Sequence, residues 1–163
     1  VLQIRDQIQS QRTGGLYKGL LLGGGVATES YATQISQKWG GLFNAGGESS
    51  LKNKPEDVEQ GILENIEKLK QQEVPDEELQ KVKNNFAAAE YRRVSSNHPM
   101  LMQLIHNDGE GDWREINEAG PRLQAVTAAD VKRVANKYFT KENRTVAIYT
   151  RKPGKPSETP KAE

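Results

Sequence analysis

The chain has 163 residues, enough for one domain that buries about 68–70% of the surface its unfolded form would expose. Lys plus Arg number 23 against 22 Asp plus Glu, and a net charge of +1 creates no field to steer nucleic acid or an anionic membrane. There is no cysteine, so disulfides, thiolate nucleophiles and cysteine-held metals are all excluded.

In chain order, residues 1–11 place Val1, Ile4 and Ile8 on one helical face with Leu2 beside them, and Thr13-Gly14-Gly15 marks the end of that pattern. Because the chain starts without methionine inside this pattern, it is expected to be a processed product or a piece of something longer. Residues 16–22 read as a short helix stopped by Gly23-Gly24-Gly25. Their Leu20-Leu21-Leu22, like every other apolar run in the chain, is far short of the roughly 18 residues of a membrane span. Tyr31, Thr33 and Ile35 then alternate with Ala32, Gln34 and Ser36, predicting a half-buried strand over 26–36. A turn at Gln37-Lys38-Trp39-Gly40 leads to a glycine-weakened return strand over 41–48, with Leu42 and Phe43.

Two amphipathic helices follow. Over 55–72, Val58, Ile62, Leu63, Ile66 and Leu69 fall at helical spacing while Glu56, Asp57, Glu59, Glu64, Glu67, Lys68 and Lys70 take the other faces. Over 75–94, Pro75-Asp76-Glu77-Glu78 supplies a start signal, a tolerated proline followed by negative charge at the dipole's positive end. Leu79, Val82, Phe86 and Ala89 form its stripe. Asn97-His98-Pro99 predicts a break, 100–107 a helix, 108–112 a turn, and 113–119 a short helix limited by Gly120-Pro121, with 122–126 helical again. Thr127 with Asp130 three residues on is close to a capping box, opening a helix whose buried side is Val131, Val134, Ala135 and Tyr138. Over 144–150, Val146, Ile148 and Thr150 alternate with Thr145, Ala147 and Tyr149 as a closing strand. Residues 152–163, with three prolines and no large apolar group, read as a linker or tail behind a domain over 1–151. The three strands are expected in one sheet, with both long helices on a single face of it, an α+β arrangement.

Chemistry is harder to find. His98 and His106 are eight residues apart, and Glu110 follows His106 by four, a spacing that one continuous helix would bring together; the flanking Gly109 and Gly111 speak against continuity. Neither His-x-x-Glu-His nor His-Glu-x-x-His occurs. The clusters Gly14-Gly15 and Gly23-Gly24-Gly25 are not followed by Lys-Ser or Lys-Thr and read as turn punctuation, not a phosphate cradle. Glu90-Tyr91-Arg92-Arg93 could grip a carboxylate, but a solvated helix face explains it as well.

The succession of motifs resembles the pitrilysin or insulinase (M16) family of zinc peptidases, which includes mitochondrial processing peptidase. The matching pieces are Gly14-Gly15-Leu16-Tyr17-Lys18-Gly19-Leu20, Lys54-Pro55-Glu56-Asp57, Val74-Pro75-Asp76-Glu77-Glu78-Leu79, Gly111-Asp112-Trp113-Arg114, Ala125-Val126-Thr127-Ala128-Ala129-Asp130-Val131 and Glu142-Asn143-Arg144-Thr145-Val146. They are similar to that family's C-terminal half-units and together cover about residues 14–150.

The resemblance implies the LuxS/MPP-like metallohydrolase fold, here as a partial unit truncated at its N-terminal side. It also implies repeated α+β units around an enclosed chamber that receives the peptide substrate. Zinc would be held by His-x-x-Glu-His and a distant glutamate on another unit, the catalytic M16 domain of the same chain or of a partner subunit, so no cofactor is expected on this chain. Active members use an arginine and a tyrosine seven residues apart in a later unit; the corresponding places fall at about Leu21 and Thr28, which can do neither job. The expectation is therefore a non-catalytic, chamber-forming unit, inactive alone, with no catalytic, cofactor or metal residue transferred. Export to a periplasm is expected from the resemblance alone. A purely structural relative, like the core subunits of the respiratory cytochrome complex, and an unrelated helical binding module are the other readings.

Overall fold

The computed structural model of the chain describes residues 17–150. Two of the expectations, the helix over 1–11 and the tail over 152–163, lie outside the described residues.

A β-hairpin and a set of five α-helices make up the described chain, linked at the start by a π-helical segment, Tyr17–Leu22. Strands β1 (Ala27–Gln37) and β2 (Gly40–Ser49) pair antiparallel across the Lys38-Trp39 turn, with Ala32 opposite Ala45, Ile35 opposite Leu42 and Gln37 opposite Gly40. Strand alternation sends Ala32, Phe43 and Ala45 into a cluster with Leu20, Ala27, Val58 and Ile62, and leaves Tyr31, Ile35 and Leu42 exposed. The buried side of β1 is thus the small-residue side. Gly61 completes the fit: a Cβ there would collide with Cδ2 of Leu20, itself only 2% exposed.

Helix α1 (Pro55–Gln71) begins as predicted, with Pro55 in the first turn and the Lys54 amide donating to Asp57 Oδ2 at 2.8 Å. It runs along β2 through Val58 and Ile62, then delivers Leu69 to a second cluster built by the other helices. Helix α2 (Asp76–Val94) buries Leu79, Val82 and Phe86 there, together with Val74, Leu123, Val126, Val131 and Ala135. The expected stripes of both long helices are therefore correct. Their shared placement on the sheet is not: α2 joins the helical cluster, and α1 is the helix that lies along the strands. Two strands about 4.8 Å apart offer little more width than one helix of about 10 Å diameter needs. The α+β class with the helical layer on one side of an antiparallel pair holds.

Beyond α2 the punctuation behaves differently from its sequence reading. Helix α3 (Asn97–Glu110) starts at Asn97, so His98 and Pro99 form its first turn, where a missing proline N–H would have had no partner anyway. It continues through Gly109 and stops at Gly111, whose φ of +145° suits glycine. Helix α4 (Glu115–Gln124) runs straight through Gly120-Pro121, clamped by Arg122 reaching back to Glu115 and Glu118 and anchored by buried Leu123. Helix α5 (Ala128–Tyr138) has the predicted cap in full: Thr127 Oγ1 accepts from the Asp130 amide and Asp130 Oδ2 accepts from the Thr127 amide, both at 3.1 Å. Val131, Val134 and Ala135 are buried as read, whereas Tyr138 is exposed.

Side chains lock these helices to one another. Lys83 Nζ donates to the Gln124 carbonyl at 2.8 Å while Gln124 Nε2 returns a bond to the Lys83 carbonyl at 3.3 Å, tying α2 to α4. Asn136 Nδ2 donates to the Lys70 carbonyl at 3.0 Å, fixing α5 to the end of α1. Phe139, just past α5, meets Phe43 of β2 with ring centroids 4.9 Å apart. The expected closing strand is absent from the described residues: 144–150 pair with neither β1 nor β2 and are exposed throughout. Alternation marks a segment that can be a strand, but a strand forms only where a neighbouring edge meets its backbone.

Candidate functional site

The positions singled out by the resemblance lie where the π-helical segment passes into β1. Leu21 is half-buried against the sheet cluster, and Thr28 Oγ1 donates to the Glu48 carbonyl at 3.3 Å across the hairpin. One side chain packs and the other staples two strands, so neither presents a cation or a phenol to a substrate. Between them Gly23-Gly24-Gly25 makes the turn. Gly25 adopts φ +58°, the Val26 amide donates to the Leu20 carbonyl at 2.9 Å, and Asn53 Nδ2 reaches both the Gly25 carbonyl and Ser50 Oγ. The order is helix, glycines, strand, the reverse of a phosphate-binding loop, and these bonds serve the turn. Gly14-Gly15 falls outside the described residues.

Because α3 is continuous, His106 and Glu110 do come together, with Nε2 and Oε1 3.5 Å apart on an exposed face. The doubt raised by the flanking glycines is thereby resolved: Gly109 is tolerated inside the last turn, and Gly111 ends it. His98 cannot join them, since eight residues of helix separate it by about 12 Å of rise. Zinc needs its ligand atoms about 2 Å from one centre. Asp112, next along the chain, accepts from the Arg114 amide at 2.9 Å and from its guanidinium at 3.3 Å, and these bonds hold its carboxyl below the usual range. Among the described residues no group of three or more His, Asp or Glu is placed to hold a metal. The zinc implied by the resemblance therefore does not fit the described part of this chain.

The Glu90-Tyr91-Arg92-Arg93 face is solvated. Arg93 Nη1 is bound to Glu90 Oε1 at 2.6 Å and Tyr91 is exposed, so the pair neutralises itself instead of opening toward a carboxylate.

Two features were not legible beforehand. Asn107 is buried in α3, its Oδ1 accepting from Gln103 Nε2 at 3.1 Å while Nδ2 has no partner among the described residues, and its carbonyl caps the helix by accepting from the Gly111 and Asp112 amides, both at 3.0 Å. The second is the outer face of the hairpin, where Tyr31, Ile35 and Leu42 stand exposed and Trp39, 92% exposed, caps the turn. The run of small residues on the opposite side, Ala32 and Ala45, is the signal that could have oriented it. Tyr31 lies across Gly46, where a Cβ would sit 2.6 Å from the phenol oxygen, so the glycine makes room for the ring.

No protein-family model and no curated protein matches the chain. Solved structures do. A protein described as "putative zinc protease from Bordetella pertussis Tohama I" superposes with TM-score 0.82 at 21% identity, over 93% of this chain and 84% of that one. The "Inactive Peptidase Domain of a Putative Zinc Protease from Bordetella parapertussis" gives 0.83 at 22% identity, over 91% and 81%. The chain has their fold. A protease from Helicobacter pylori gives 0.76 at 21% identity, over 87% of this chain but 35% of its own length, so a unit of this shape there makes up about a third of a longer polypeptide.

Proposed function

We propose that this chain is a non-catalytic unit of a zinc-dependent metalloendopeptidase of the M16 type, forming part of the wall of a peptide-receiving chamber, with the zinc on another unit. The observation that carries this reading is the superposition on an inactive peptidase domain over 91% of the chain, taken with the positions Leu21 and Thr28. Those two side chains are committed to packing and to a cross-strand bond, and the only histidine–carboxylate pair found among the described residues, His106 with Glu110, lacks a third ligand. The catalytic M16 unit, in the same polypeptide or in a partner subunit, would polarise the peptide carbonyl and activate water. In an exporting bacterium such a peptidase belongs in the periplasm.

The test pairs calorimetric titration of the metal-free chain with zinc and a quenched-fluorescent peptide assay. The expected outcome is no tight stoichiometric binding and no turnover by the chain alone. Sub-micromolar binding lost in His106→Ala, or turnover blocked by a chelator, would overturn the assignment. The parent gene offers a second check: His-x-x-Glu-His one to two hundred residues ahead of Val1 supports a peptidase, and its absence beside a second similar unit favours the purely structural relative.

A further inference from the structure

We draw no further inference here: the strongest candidate, the side-chain cluster at the C-terminal end of α3 where buried Asn107 keeps Nδ2 without a partner among the described residues next to the His106–Glu110 pair, carries nothing, because nothing in the structure shows what covers it.

Discussion

The helical cluster around Phe86 and the layer beneath the hairpin are packed by opposite means. In the first, large side chains from four helices fill the space, and the helix ends are fixed by caps and by side-chain bonds to backbone carbonyls. In the second, small residues, Ala27, Ala32 and Ala45 with Gly61, line the contact and leave room for Leu20, which lies against Gly61. A core of the first kind fails when volume is removed, and one of the second kind when volume is added.

Phe86→Ala should bring the largest loss, about 3–5 kcal/mol in denaturant melts, as expected for a buried phenylalanine. A change well under 1 kcal/mol would show that the helical cluster does not depend on its volume and would dissolve the contrast. Gly61→Val should cost about 1–3 kcal/mol through overpacking against Leu20, despite the better helix propensity of valine over glycine. The double variant Gly61→Val with Leu20→Ala should recover part of that loss; if it does not, the close approach is not what the glycine serves. Thr127→Ala, which removes the cap of α5 but touches neither core, should cost about 0.5–2 kcal/mol by the same melts.

The smallest effect is the pH dependence of that cap. Hydrogen bonds first from Arg133 and then from Thr127 hold the Asp130 carboxyl down at about 2. A carboxylate whose folded value lies below its unfolded one stabilises the protein above the unfolded value, roughly 3.9, and loses that contribution as pH falls through the folded one. The melting temperature should therefore drop between about pH 4 and pH 2, with a shallower slope in Asp130→Asn. Equal slopes in the two proteins would show that the cap carries none of the acid sensitivity.

Local chemistry was read well wherever the physics is local. The stripes of α1 and α2, the Thr127–Asp130 cap and the stop at the glycine turn depend on spacing and on backbone preferences within a few residues, and each stands where the pattern placed it. Gly109, Pro99 and Pro121 were misread for one reason. Their cost depends on position within a helix and on what clamps it, and a first-turn proline or an Arg122 bridge is invisible until the helix bounds are known. For the candidate site, the pairing of His106 with Glu110 hung on that same continuity. The structural use of Thr28 needed the register of the hairpin.

By itself the sequence determined the two long helices and their apolar faces, the capped start of α5, and that no thiol chemistry or strong electrostatic steering is available, because these follow from residue type and period. Only the tertiary structure decided that α2 packs away from the sheet, that the small-residue side of β1 is the buried one, and that 144–150 stays unpaired in the described chain. Those outcomes turn on which surfaces meet. A period can say that a face is apolar, but the width of the sheet and the partner across the gap choose what covers it.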